Sequence, residues 1–334
     1  MNIIILTQYF APETGAPQNR LFELAKFLKD KGDSVKIITA NPSYPKSKVF
    51  EGYENNFYSK EIFQGIEVHR CWIFVSKSSR ILIRLVNYFS FAISSFFIGL
   101  KFINKNTDLI ICESPPLFLG MTAVFLKKIK KVKLLFNVSD LWPKTAVDLG
   151  IIHNKIIIRL SIFLEEWIYN NSDLISCQTN GIKEDICSRI DSKSLFWYKN
   201  GYNFSNIIEE VENNWRSENN FNIDDFIILY AGIIGHAQGL EVCLKAANEL
   251  KQDNSIKFVI IGSGPRLDEL KMIKNKLNLS NVVFLGHVNK NKLHDIIPQI
   301  DAGIVPLKKL AIFEGAIPSK IFDILGNKKP IILG

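Results

Sequence analysis

The chain has 334 residues, more than one hydrophobic core usually organises, so two domains are expected. Hydrophobic residues make up 47% and charged residues 22%, which excludes an intrinsically disordered chain. A net charge of +8 and a pI near 9.1 point to an anionic partner, without choosing among nucleic acid, phospholipid and a phosphate-bearing substrate. The five cysteines (Cys71, Cys112, Cys177, Cys187, Cys243) are scattered, with no C-x-x-C pair and no matching histidine cluster. That argues against a structural zinc site or a disulfide framework and fits a reducing cytoplasm. Met1-Asn2 runs straight into Ile-Ile-Ile-Leu, too short for a signal peptide and without its basic start.

Residues 2–7 form an apolar, β-branched run that predicts a strand. Leu21, Leu24, Ala25 and Leu28 then mark one helix face, which Gly32 closes. A strand at 35–40 and a turn at 42–45 follow. Residues 81–103 read ILIRLVNYFSFAISSFFIGLKFI, long enough to span a bilayer. Arg84, Asn87, Ser90, Ser94 and Lys101 recur along it at helical spacing, and a charge inside a span is costly, so spanning is disfavoured. Two readings stay open: a largely buried domain helix, or a helix lying on a membrane surface with its basic residues near the headgroups. Strands at 108–112, 133–138 and 173–179 follow, with a helix at 155–169. Continuous apolar strands separated by helices indicate a parallel sheet covered on both faces.

Residues 202–225 are rich in Asn and Glu and read as a linker with room for one helix. The alternation then restarts. Strands are expected at 226–232, 257–262, 281–286, 302–306 and 330–333, with helices at 240–250, 266–277, 292–300 and 319–326. The sequence stops on an apolar strand with no covering helix, so the second domain is expected to continue past Gly334.

In open α/β sheets, ligands sit beyond the carboxyl ends of the strands. The loop after the first strand, residues 8–20, holds Gly15, which lets a ligand approach the backbone, and Arg20, which can reach the same space. Read alone, it is equally a Pro/Gly loop before a helix. In the second half, residues 231–239 carry Gly232, Gly235, His236 and Gly239 between a strand and a helix, exposing N–H groups suited to a diphosphate. Gly262 and Gly264 end the next strand in a tight turn. Further on, Pro318 and Ser319 start a helix on which Lys320 and Asp323, three apart, share one face. Lys320 suits a phosphate and Asp323 a ribose, or the two form a surface ion pair.

Together these residues resemble the bacterial glycosyltransferase family 4, of GT-B fold, in its branch of O-antigen and capsule enzymes. The shared stretches are Tyr9-Phe-Ala-Pro-Glu-Thr-Gly15 with Arg20, Asp140-Leu-Trp-Pro143, Asn200-Gly201 and Tyr230-Ala-Gly-Ile-Ile-Gly235. Ala237-Gln-Gly239, Gly262-Ser-Gly-Pro265, Phe284-Leu-Gly286, Asp301-Ala-Gly-Ile-Val-Pro306 and Pro318-Ser-Lys320 complete them. The resemblance covers nearly the whole chain in order. It implies two Rossmann-like doubly wound parallel-sheet domains facing a cleft: an acceptor-binding domain at 1–201 and a nucleotide-sugar domain at 202–334.

The resemblance also assigns roles. Asp323 matches the second glutamate of the family's Glu-seven-residues-Glu signature and would bind the donor ribose. The first would fall on Gly315, whereas the carboxylate here is Glu314, one position early, expected to act with Asp140 at the catalytic centre. Gly15, Gly235, His236, Gly262, Gly264, Lys320 and Asp323 are the expected donor-binding residues, and Arg20 and Asp140 the acceptor-binding ones. Where many relatives clamp the diphosphate with Arg and Lys, this chain has Ile233 and Gln238, which leaves Lys320 and the Gly235 backbone to do so. Asp140 would orient the acceptor hydroxyl in the interlobe cleft, or cap the helix after Trp142-Pro143.

No D-x-D appears, so no metal and no other cofactor is expected. Helix N-termini and cationic side chains would then stabilise the leaving diphosphate. Relatives of this kind retain anomeric configuration by front-face attack. The expected partners are a nucleotide-sugar, UDP-linked, and a lipid-diphosphate-linked sugar, met peripherally on the inner face of the cytoplasmic membrane; no nucleic acid is expected. Three rivals stand beside this reading. A UDP-sugar 2-epimerase would share the fold, and a non-catalytic sugar-binding protein would consume no nucleotide. A nicotinamide dehydrogenase would need a G-x-G-x-x-G after the first strand, which is missing.

Overall fold

The structure is a computed structural model that describes residues 1–334 except 14, 46, 55, 79, 192–193, 199–200, 202–214, 311–312 and 315–316. Asn200, most of the expected linker, and Gly315 in the acidic signature therefore lie outside the described residues. The chain divides into two compact units, Met1–Lys199 and Asn200–Gly334.

The first unit opens with β1 (Asn2–Leu6), α1 (Ala16–Asp30), β2 (Ser34–Ala40) and a hairpin of β3 (Tyr58–Phe63) and β4 (Ile66–Cys71). It continues through α2 (Ile81–Phe102), β5 (Leu109–Ser114), α3 (Phe118–Lys130), β6 (Lys133–Val138), α4 (Lys144–Asp148) and α5 (Lys155–Asn171). It ends with β7 (Leu174–Cys177), α6 (Asn180–Arg189) and β8 (Leu195–Trp197). The strand order is β3-β4-β2-β1-β5-β6-β7-β8, parallel throughout except that β3 runs antiparallel to β4. Side-chain alternation divides each strand between two cores. Ile3 and Ile5 join Leu21 and Ala25 of α1, while Ile4 and Leu6 join Phe91 of α2 and Leu119 of α3. That two-sided burial is why the strands read as unbroken apolar runs. The β3–β4 hairpin, α3, α6 and β8 add to the elements expected from sequence. Gln64 (φ 44°) and Gly65 (φ 80°) close the hairpin with positive φ at both positions, the turn that matches strand twist.

Helix α2 departs from the buried reading. Leu82, Val86, Phe89, Ile93 and Phe97 form an exposed apolar stripe along it. Its polar residues turn inward instead. Asn87 Nδ2 donates to the Phe74 carbonyl (2.5 Å), the Phe74 N–H donates to Ser90 Oγ (2.8 Å), and Ser94 Oγ donates to the Trp72 carbonyl (2.6 Å). The segment just past β4 is not in regular structure, so its backbone groups need side-chain partners. The polar stripe supplies them, and α2 faces outward with its hydrocarbon. By length and composition it is apolar enough to cross a membrane.

The second unit comprises α7 (Trp215–Glu218), β9 (Phe226–Ala231), α8 (Glu241–Glu249), β10 (Ile256–Ile261), α9 (Leu267–Lys276) and β11 (Val282–Leu285). Next come α10 (Lys290–Ile296), β12 (Ala302–Val305), α11 (Lys320–Gly326) and β13 (Ile331–Leu333). Its all-parallel order is β11-β10-β9-β12-β13, so the winding reverses between β9 and β12. The stretch 215–225 is not linker but core: Trp215 and Phe221 are buried with Ile227, Leu229 and Val259. Arg216 fastens it, donating to the Gln299 carbonyl (2.7 Å) and pairing with Asp301 (2.7 Å).

Replacing Asn87 with Leu should strip the Phe74 carbonyl of its donor and cost about 1–3 kcal/mol of stability in the first unit. Urea unfolding followed with a first-unit probe measures this; an unchanged midpoint would contradict the anchoring role of the inward polar stripe.

Candidate functional site

In the second unit the expected donor residues gather at the reversal between β9 and β12. Lys320, the first residue of α11, extends over β9 so that its Nζ lies 3.9 Å from the Tyr230 ring centroid. A Cβ built on Gly232 would stand 2.8 Å from that Nζ, so the absence of a side chain there makes room for the ammonium. The residue as a whole is half-buried, but its charged end sits inside, against an aromatic face rather than a carboxylate. Lys320 forms no ion pair among the described residues. Burial lowers its ammonium to a pKa of about 7.

Acidic side chains of this unit are held in pairs of their own. Glu241 at the start of α8 pairs with Arg266 (2.5 Å), and Arg266 also pairs with Glu269 (2.5 Å). Asp301 accepts from the Ile227 N–H (2.8 Å) as well as from Arg216. Asp323 lies three residues past Lys320 on α11 and is half-buried.

Gly262 and Gly264 have a defined packing reason. Their φ values, 147° and 158°, suit glycine, and a Cβ on each would stand 1.9 Å from the Gly232 carbonyl oxygen and 2.3 Å from that of Ile234. The loop after β10 thus lies backbone to backbone on the loop after β9, fixed by hydrogen bonds from the Gly232 N–H to the Ile261 carbonyl and from the Ile234 N–H to the Ser263 carbonyl. The Gly235 N–H donates to Gln238 Oε1 (3.1 Å), and His236 is exposed at the loop tip. Glu314 is exposed beside a cavity of about 350 Å³ past β12, lined also by Lys308, Phe313 and Pro318.

Gly15, Arg20 and Asp140 belong to the first unit. Gly15 is extended before α1, with the Gln18 side chain folded over it. Arg20 pairs with the buried Glu113 and donates to Ser139 Oγ (2.6 Å). Glu113 also takes a hydrogen bond from Asn137 Nδ2 (2.6 Å), and Asn137 Oδ1 in turn accepts from Ser176 Oγ (2.8 Å) and Gln178 Nε2 (3.1 Å). Strand register causes this, since Glu113, Asn137 and Ser176 are direct neighbours across β5, β6 and β7. Asp140 follows Ser139 immediately. Its Oδ1 accepts from the Thr145 hydroxyl (2.7 Å), and burial raises its carboxyl above the usual range against that bond and the Leu141 N–H. Thr145 therefore takes up the carboxylate, and α4 begins with no side-chain cap.

The sequence reading missed Glu113, Asn137, Ser139 and Glu13. A polar residue closing an otherwise apolar strand, as in LIICES and KLLFNV, was the available signal. Glu13 is buried in the loop after β1, where one oxygen accepts from the Ser43 (2.7 Å) and Tyr44 (2.8 Å) N–H groups. Burial pushes its carboxyl up to about 7, opposed by those two bonds.

Two measurements test these assignments. A carboxyl raised in the folded state contributes stability that is full below its unfolded value, near 4.5, and lost as pH rises through about 7. First-unit stability should therefore fall between pH 5 and 8 by on the order of 3 kcal/mol, and Glu13→Gln should flatten that slope; identical slopes would refute the assignment. Gly262→Ala should cost about 2–4 kcal/mol by pushing the β10 loop off Gly232. Calorimetry showing an unchanged second-unit transition would contradict it.

Comparison with known proteins agrees with this geometry. Residues 211–333 match the family Glycosyl transferases group 1. The chain is 26% identical over 333 residues to WcaI of Escherichia coli K12, assigned as a colanic acid biosynthesis glycosyl transferase, covering 97% of this chain and 81% of that protein. Among solved structures, sucrose-phosphate synthase from Thermosynechococcus elongatus superposes with a TM-score of 0.74 at 15% identity, covering 99% of this chain and 80% of that one. Anabaena HepE in complex with UDP and glucose gives 0.71 at 13% identity, with 100% and 80% covered. Two parallel-sheet units and these superpositions give the chain the GT-B fold, and its second unit carries the similarity to glycosyl transferases group 1.

Proposed function

We propose that the chain transfers a sugar from a UDP-sugar to a lipid-diphosphate-linked acceptor, with retention of configuration and without a metal. The observation that carries this reading is Lys320: an ammonium held at the β9–β12 reversal without an ion pair among the described residues. A leaving diphosphate is the ligand that such a charge suits, because the protein has left its neutralisation to something else. Asp323, on the same face of α11, takes the ribose hydroxyls. Glu314, His236 and the Gly235 loop border the donor sugar and diphosphate.

The acceptor hydroxyl meets Asp140, whose carboxylate is positioned by the Thr145 hydroxyl and the Leu141 N–H. Attack comes from the face the diphosphate leaves, and the hydroxyl proton passes to the departing phosphate oxygen. The UDP bound to HepE supports uridine in the donor. The likeness to WcaI supports a place in making a cell-surface polysaccharide, whether O-antigen, capsule or exopolysaccharide. The outward apolar stripe of α2 and the basic net charge support peripheral attachment to the cytoplasmic membrane.

Titration calorimetry with UDP tests the donor site. Lys320→Met should weaken binding about ten- to a hundredfold. Because the empty-site ammonium titrates near 7, UDP affinity of the unaltered chain should fall as pH rises above 7, and that fall should vanish in Lys320→Met. Asp323→Ala should also lose donor affinity. UDP release from the correct UDP-sugar with a lipid-linked acceptor should survive chelation of divalent ions. Manganese dependence, or UDP affinity indifferent to both substitutions, would overturn the reading.

A further inference from the structure

An apolar groove of about 420 Å³ lies in the first unit, walled by Leu85 and Tyr88 of α2, Phe118 and Met121 of α3, Trp142, and Leu164 of α5. That size is ordinary for a small-molecule pocket. Arg84 is the one charged residue in its wall, and it forms no ion pair among the described residues.

The groove opens among exposed hydrocarbon: Phe89 on α2 and Ile157 and Leu160 on α5 line it and are exposed at the surface. Trp142 and Ala146 also line it, and Asp140 lies two residues before Trp142 in the chain. Arg84 stands in the groove wall and is itself exposed. Gln8 Nε2, in the loop after β1, donates to Asn87 Oδ1 (3.1 Å), tying α2 to that loop. So an exposed cation without an ion pair among the described residues stands in the wall of a largely apolar trough.

We infer that this groove holds the hydrocarbon tail of the lipid-diphosphate acceptor, with Arg84 on its diphosphate and the sugar directed to Asp140. Charge complementarity selects this occupant. A neutral lipid or an apolar peptide would leave Arg84 unused, and a soluble sugar would leave the groove empty. The inference rests on the acceptor class proposed above and adds the site that recognises its lipid.

The test uses the whole chain and three probes: farnesyl diphosphate, inorganic pyrophosphate and phosphatidylglycerol vesicles. Binding is followed by calorimetry and by Trp142 fluorescence, with Trp142→Phe to assign the signal. Farnesyl diphosphate should bind at least about tenfold more tightly than pyrophosphate, since the buried chain adds apolar contact. Leu160→Glu, at an exposed position that tolerates change, and Met121→Trp, which fills the groove, should each remove that advantage and leave pyrophosphate affinity unchanged. Arg84→Ala should weaken both diphosphates. Equal affinity for the two diphosphates would overturn the inference, as would a chain-length advantage that persists in both groove variants. Vesicle binding lost in Leu160→Glu while farnesyl diphosphate still binds would make the groove a bilayer contact and overturn it too. UDP binding by the same samples reports folding and the donor site separately. Normal UDP binding beside failed farnesyl discrimination sinks the groove alone, and absent UDP binding beside intact discrimination sinks the donor reading alone.

Discussion

The second unit is organised around an ammonium that no described residue neutralises. Placing Lys320 on the face of Tyr230 recovers part of its lost hydration through cation–π attraction, but a buried charge without a carboxylate remains costly. No carboxylate among the described residues pairs with it; Glu241 is held by Arg266, and Asp301, at the amino end of β12, by Arg216 and the Ile227 N–H. The glycines then set where the ammonium can go. With Gly262 and Gly264 pressed on the 232–234 backbone, the loop after β9 cannot drift, and the space beside Gly232 stays open for Lys320.

Much of this was legible in the sequence for one reason: parallel strands buried on both faces leave uninterrupted apolar runs, and loops at their carboxyl ends mark themselves with glycine, proline and a helix start. Pro318-Ser319-Lys320 could be read that way. What Gly262 and Gly264 face could not, because glycine admits a ligand and a neighbouring backbone equally well, and the backbone in question lies about thirty residues upstream. The stretch 215–225 misled for a related reason. Its apolar residues, Trp215 and Phe221, are too few to show a period, yet both are core.

Helix α2 shows how periodicity can be right about a helix and silent about its orientation. Arg84, Asn87, Ser90 and Ser94 do share a face, as their spacing says. Which face meets solvent depends on whether some other segment needs hydrogen bonds, and residues 72–74 need three. A carbonyl left dry costs more than an apolar side chain left exposed singly, so the polar stripe is drawn inward. The outward hydrocarbon is the consequence, and it frames the apolar groove that Trp142 also lines.

Comparing the two units separates their tasks on electrostatic grounds. Both place a cation at the carboxyl end of a parallel sheet. In the first unit Arg20 is already satisfied by Glu113 and Ser139, within a chain of uncharged Asn, Ser and Gln contacts set by strand register. Such a surface offers hydrogen bonds without net charge, which suits sugar hydroxyls. In the second unit Lys320 is left unsatisfied, which suits phosphate. The burial of Glu113 across from Asn137 follows from strand register, so the first unit satisfies Arg20 from within its own sheet.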